Sequence, residues 1–583
     1  MLPINNRTGM LFSLLAIAAI SISGCANRQQ TIEPAAETST EQRSSSAQEQ
    51  PSLPKSSFLP STLYALMVAE MAAHRGLPRV TLHNYLQEAE KTGDLGIIQR
   101  SVELSNHLRD SDAMLKATTL WAKAEPDNPT PFRIATKELI SRGEVDKALP
   151  LLEKALQLGS LEVIDALTSR VQRMDTEERQ SYLALINKML LTDPDNAQLI
   201  YGKAALVAAQ DDLDQALTLT QQALSLTPDF ERAILLEADL QNRTGHLDTA
   251  LGHLREELRD LDSKQMRTLY TRLLLEKKQY PQAEQQAEML INKSPDDHSL
   301  QFYLGVLLLE HNRLDLSEHY FSKLAEESGH NSALSYYQGR IAQIKNQSEQ
   351  ALVHYRQVSD APYLLAAYTE IIKLLTSAED QAKLSQIFAQ AKQNHSESSA
   401  MFYALEAAWL VDHSFDLKAM ELLDQGLGEH PENTRLRYSR AMLGEKLGNM
   451  TLMESDLRFL LKLEPDNATA MNALGYSLTD NTGRHSEALE LIKKALALKP
   501  DDPAILDSMG WAYYHLGELQ LSLQYLQQAF NNFPDPEIAA HLGSVNWALG
   551  NKAEALKIWQ EALEQQPDNR YIIDAMEAAE KGI

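Results

Sequence analysis

A single cysteine, Cys25, stands in 583 residues, so one chain can build neither a disulfide framework nor a thiolate metal site. Aromatic side chains are only 6% of the composition, and positive charge is in deficit: 54 Lys and Arg against 80 Asp and Glu leave a formal net charge of −26. So acidic a surface argues against nucleic acid and against electrostatic adhesion to anionic lipid, leaving protein partners as the default. There is no Gly-rich phosphate loop, no H-E-x-x-H and no G-x-S-x-G. The 16 histidines are scattered. His246 and His253 are near enough to share a helix-pair surface, but two ligands without a third make a poor metal site. Carboxylates are spread throughout, as solvated helix faces require. The expectation is a non-enzyme that needs no cofactor and no metal.

Long apolar runs are scarce as well. One at the amino terminus, Met10 to Ile20, is too short for a comfortable membrane span. Arg7 precedes it and Ile22-Ser23-Gly24-Cys25 follows, the order of a bacterial lipoprotein signal: basic residue, apolar stretch, small residues, then the cysteine that takes the lipid. Residues 1–24 are expected to be removed and Cys25 lipidated, which takes the formal charge from −26 to about −27, because Arg7 is the one charged side chain lost. Ala26 follows the cysteine in place of Asp, and by the sorting rule for such lipoproteins the destination is the outer membrane, lipid-anchored and facing the periplasm. Membrane contact is expected through that lipid only. Residues 25–57 are rich in Ser, Gln, Glu, Thr and Pro and too poor in large apolar side chains to offset their ordering entropy. They read as a disordered tether, with a reach on the order of 30 Å.

From Ala468 to Pro534 one pattern occurs twice. Leu474-Gly475 and Met509-Gly510 are each followed by a turn glycine (Gly483, Gly517), a small residue (Ala488, Ser522), a second Ala (Ala495, Ala529) and a closing proline (Pro500, Pro534). This is the tetratricopeptide pattern of two antiparallel helices in about 34 residues. Gly475 and Ala488 allow the two backbones to approach, Gly483 is expected to end its helix at a positive φ, and Asp501 and Asp502 can cap the next helix. Closing prolines recur at Pro126, Pro194, Pro228, Pro295, Pro431, Pro465, Pro500, Pro534 and Pro567, at separations of 68, 34, 67, 136, 34, 35, 34 and 33. Turn residues hold the register at Gly143, Gly245, Asn312, Asn346, Gly448 and Gly550, and small residues at Ala148, Ala216, Ala250, Ala283, Ala351 and Ala555. The predicted fold is all-α: a right-handed α-solenoid of about fifteen tetratricopeptide helix pairs over residues 58–567, with 568–583 as a C-terminal capping helix. Units 161–194 and 361–397 are the least regular. Sequence drift under the same packing and a local change of superhelical curvature are both compatible with that.

In this repeat type the first helix of each pair lines the groove. In the last three full repeats its groove positions hold Asn472, Tyr476, Asp507, Trp511, Tyr514, His515 and Trp547. Aromatic anchors flanked by Asn and Asp suit an extended peptide, and Asn472, Tyr476, Asp507, Trp511, Tyr514 and Trp547 are the candidate partner-binding residues. The competing reading is packing between repeats: a slip of one residue would exchange Tyr514 with Tyr513, and Trp121 and Trp559 read as core.

Beyond the generic repeat, SFLPSTLYALMVAEMAAHRG near the start is joined by ESDLRFLLKLEPDNATAMNALGYSLTDNTGRHSEALELI, DDPAILDSMGWAYYHLGEL and IAAHLGSVNWALGNKAEALKIWQEAL. With the lipobox, these stretches resemble the long outer-membrane tetratricopeptide lipoproteins of Gram-negative bacteria of the LbcA type. The resemblance covers nearly the whole chain after the signal and is strongest from about Glu454 to Leu563. It implies an adaptor that binds and activates a periplasmic C-terminal-processing serine protease and presents substrates to it, notably peptidoglycan hydrolases. Two other readings remain open: a scaffold for pilus or exopolysaccharide export, and a peptidoglycan-binding module in which Trp511 and Trp547 stack on sugars.

Overall fold

Helix-capping and helix-ending residues alternate along this chain, and in the computed structural model they parcel it into helix pairs. The structure describes residues 59–329 and 331–581, so the signal, Cys25 and the tether lie outside the described residues. Within them are 31 α-helices and three short 3-10 helices, with no strand. Thirty of the helices form fifteen successive pairs, from Pro60–His74 with Pro78–Thr92 to Pro536–Ala548 with Lys552–Gln565, and Arg570–Lys581 follows as the last. This is an α-solenoid of tetratricopeptide pairs.

Local chemistry sets the boundaries. Asp and Asn side chains accept from the first free backbone N–H groups of many first helices, as Asp502 does from Ala504 and Ile505 at 3.1 and 3.3 Å. Turn residues Gly143 and Asn312 have φ of +74° and +57°, a conformation that glycine and asparagine adopt most readily. Gly483 does not follow suit. The helix Ala468–Asn481 ends instead at Thr482, which is extended, and the Thr482 hydroxyl donates to Leu478 O at 2.6 Å and accepts from Arg484 N at 3.1 Å. The helix is one residue longer than the next first helix, Pro503–His515, while both turns have three residues; a threonine hydroxyl satisfies the backbone groups and no left-handed residue is needed.

Close approach within pairs explains the small residues. A Cβ on Gly475 would meet Ile492 Cγ1 at 2.5 Å, and one on Gly510 would meet Leu526 Cγ at the same distance. The alanines that hold the repeat register, Ala148, Ala216, Ala250, Ala283, Ala351 and Ala555, are all fully buried. Each large aliphatic side chain packed between such helices contributes about 1.5–3 kcal/mol.

The chain divides into two compact units, one ending at Tyr320 and the other beginning at Phe321. In the first, the core runs from Phe132 through Leu152, Ile164 and Ile186 and on through Leu254, Leu274 and Leu304. Its fourth pair is irregular: the first helix, Val163–Arg170, has eight residues where the other first helices have 12 to 15, and it passes into the 3-10 turn Val171–Arg173 before the 17-residue helix Thr176–Thr192. In the second unit, the core passes from Tyr355, Phe388 and Phe402 to Leu457 and Leu474 and ends at Trp559. Its tenth pair, Tyr363–Leu374 with Gln381–Asn394, is entered through a cis Ala361–Pro362 bond.

The terminal helices differ. Arg570–Lys581 buries Ile572 against the cluster around Trp559 and turns Lys and Glu outward. Pro60–His74 buries Thr62, Ala69 and Ala72, but its outer stripe is apolar: Leu63, Met67 and Met71 are 54%, 57% and 53% exposed, with Tyr64 at 71%. A helix apolar on both sides normally lies inside a protein.

Candidate protein-interaction surface

Three successive first helices of the second unit, Ala468–Asn481, Pro503–His515 and Pro536–Ala548, hold the candidate residues, and the first helix Thr434–Lys446 precedes them. Because the repeat is about 34 residues long, equivalent positions on neighbouring first helices fall side by side. Asp507 and His541 are 34 apart, and the His541 Nδ1 lies 2.9 and 3.1 Å from the two Asp507 carboxylate oxygens, both residues buried. The Tyr476 hydroxyl donates to Glu537 Oε1 at 2.7 Å, passing over the intervening first helix.

Trp511 sits at the centre of this network. Its ring stacks on His541 at a centroid distance of 4.0 Å and on Tyr514 at 4.8 Å, and meets His515 edge-on at 4.9 Å. Its Nε1 donates to Asp480 Oδ1 at 3.3 Å. The structure thus brings Tyr476, Asp507, Trp511 and Tyr514 together. Asn472 lies one turn before Tyr476, half-buried, and its Oδ1 accepts no hydrogen bond. Trp547 does not join the stack; it packs on Trp559 at 6.0 Å under the ammonium of Lys552, at 4.6 Å. Tyr513 stacks on Tyr525 at 5.7 Å, so the assignment of Tyr514 to the aromatic stack needs no register slip.

Four further residues complete the surface: Glu445, Asp480, Glu537 and His541. Among the described residues, no Lys or Arg pairs with Glu445, Asp480, Asp507 or Glu537. The Ser477 hydroxyl donates to Glu445. Burial pushes the Glu445 and Glu537 carboxyls up, against the pull of the Ser477 and Tyr476 hydroxyls respectively. Burial and then the Glu537 charge drive the Tyr476 phenol far above its ordinary value. For His541 burial opposes the charged ring, but Asp507, with Glu537 and Asp480 behind it, outweighs burial and raises the pKa. His515 goes the other way, lowered by burial and by His485. The arrangement has no aligned nucleophile and base; it offers carboxylates and aromatic edges to another molecule. His253, for its part, turns to Glu237 and Glu257 at 3.0 and 3.4 Å.

Models of the tetratricopeptide repeat match residues 466–582 and 272–332. The TPR repeat-containing protein PA4667 of Pseudomonas aeruginosa is 34% identical over 488 residues, 84% of this chain and 82% of that one. The chain belongs to the tetratricopeptide-repeat family. Bacteriophage adsorption protein A of Escherichia coli is 26% identical over 153 residues, 26% of this tetratricopeptide-repeat protein but only 15% of that relative. Among solved structures, Naa15/Naa10 bound to HypK is 12% identical, covering 89% of this chain and 87% of that one with a TM-score of 0.36. Yeast Tom70 is 14% identical over 72% and 95%, with a TM-score of 0.32. Likeness at that level says nothing about function. Tetratricopeptide repeats mark a protein–protein interaction scaffold, and the repeats place this chain in that class.

Proposed function

We propose that the protein is a non-catalytic outer-membrane lipoprotein scaffold, anchored through Cys25, that binds and activates a periplasmic C-terminal-processing serine protease and presents protein substrates such as peptidoglycan hydrolases to it. The observation that carries the scaffold part is the carboxylate–aromatic surface spread over successive first helices, without a catalytic arrangement. The protease and its substrates come from the resemblance of SFLPSTLYALMVAEMAAHRG and the later repeats to the LbcA type. Holding enzyme and substrate on one scaffold raises their effective concentration without any new catalytic contact.

Affinity capture with the full-length protein from an envelope extract, read by mass spectrometry, tests the reading. Recovery of a PDZ-containing serine protease is expected, and adding the scaffold to purified protease and substrate should speed cleavage. Recovery of pilus or polysaccharide-export components in its place would overturn the protease assignment.

A further inference from the structure

We propose that the irregular fourth pair opens a pocket for a carboxylate carried by an acidic peptide segment. The pocket lies between the first helices Pro129–Arg142 and Val163–Arg170, within the first unit, and has a volume of about 220 Å³. Its polar lining is Lys137, Ser141, Ser169, Arg170 and Arg173, with no carboxylate. In a chain of net charge −26, three cations around one cavity are a local reversal of sign. A neighbouring trough of about 400 Å³ shares Lys137 and Ser169, and there the carboxylates are already engaged: Glu162 with Arg133 at 3.3 Å and Asp165 with Arg232.

The pocket follows from the shortened helix. After Arg170 the chain turns inward to bury Val171 and Met174, which carries Arg173 out to the pocket rim. Arg170 is spoken for: its guanidinium donates to Ile140 O at the end of the preceding first helix and lies 3.6 Å from Glu178. Gly143 leaves space for it, since a Cβ there would meet Arg170 Nη2 at 2.6 Å. The two serine hydroxyls donate to their own helices, Ser141 to Glu138 O at 2.7 Å and Ser169 to Ala166 O at 2.8 Å. The donors left are Lys137 Nζ and the Arg173 guanidinium, neither of which meets a carboxylate among the described residues.

A planar guanidinium matches a carboxylate in two parallel hydrogen bonds, and an ammonium supplies the second charge. The surrounding negative field opposes long polyanions and anionic lipid surfaces, whereas a short acidic stretch brings little charge beyond the pocket. The proposal rests on the scaffold reading only in taking the ligand to be a protein segment.

Binding of a fluorescein-labelled hexapeptide of alternating Asp and Ala to the full-length protein in detergent, followed by anisotropy, tests it. The acidic peptide should bind in a salt-sensitive way, a C-terminally amidated Asn-for-Asp peptide, which carries no carboxylate, should not, and Lys137→Glu/Arg173→Glu should weaken binding by roughly tenfold or more. Lys494→Glu/Lys557→Glu, with the same charge change at exposed sites of the second unit, should leave it unchanged. Amidating the peptide's C-terminus separates the sources: retained binding assigns a side-chain carboxylate, lost binding a terminal one. No binding of the acidic peptide, equal weakening by both double variants, or displacement by millimolar inorganic phosphate at fixed ionic strength would overturn the proposal. Protease capture is measured separately on the same variants. Capture that survives while peptide binding fails discards the pocket alone; peptide binding that survives without capture discards the protease assignment alone.

Discussion

His541 is buried beside Asp507, and the two form a polar link between adjacent repeats at the carboxyl end. Removing one partner of a buried charged pair leaves the other without compensation, so Asp507→Asn should cost about 3–5 kcal/mol in chemical denaturation of the second unit. The pH dependence follows from the raised pKa. The folded state binds the His541 proton more tightly than the unfolded chain does. Its contribution is therefore complete below the ordinary value of 6.5 and is lost as pH rises through the elevated one. Glu537 and Glu445, also raised, act with the same sign from lower pH upward. Hydrogen exchange of Pro536–Ala548, corrected for intrinsic rates, should show less protection at pH 9 than at pH 6, and His541→Gln should flatten the difference. A Cβ on Gly543 would collide with the buried Trp559 indole, so Gly543→Ala should destabilise by about 1–3 kcal/mol, read from the denaturation midpoint.

Among the helices, the terminal pieces make the sharpest prediction. Truncation before Arg570 uncovers the face that Ile572 seals against Trp559, so the shortened protein should aggregate or bind a hydrophobic dye where the full chain does not. Serine substitutions at Leu63 and Met67, both more than half exposed, should leave thermal stability unchanged. Much of this architecture was legible in the prolines and small residues, because a register near 34 residues held from Pro126 to Pro567 requires a stack of like helix pairs. Two details were not. Gly483 suggested a left-handed turn, yet one extra residue let Thr482 take over the cap. Unit 161–194 was visibly irregular, but only packing of Val171 and Met174 revealed a helix cut to eight residues. At the surface, Tyr476, Asp507, Trp511 and Tyr514 could be read from repeat position. His541 and Glu537 were missed, although His541 is displaced from Asp507 by one full repeat and the spacing alone could have found it. Trp547 shares the register but turns to Trp559, because a neighbouring indole offers more apolar contact than the groove.

For the whole molecule, the proposed function requires that it be held at the membrane through Cys25. Cys25→Ser should abolish incorporation of labelled palmitate and move the protein out of the outer-membrane fraction; unchanged fractionation would remove the anchor from the proposed function. The Tyr476–Glu537 hydrogen bond has a further consequence for how the carboxyl end comes apart. A stack of repeats is commonly treated as a one-dimensional chain in which each element senses only its immediate neighbours, so that ends fray one element at a time. Tyr476 and Glu537 are 61 residues apart and belong to the thirteenth and fifteenth pairs, with the fourteenth between them. That bond is a next-nearest-neighbour coupling: the fifteenth pair cannot open without breaking a bond to the thirteenth. These three pairs should therefore exchange and unfold as one block of roughly a hundred residues, and the arrangement of Tyr476, Asp507, Trp511, Tyr514, Glu537 and His541 that they carry is present whole or lost whole.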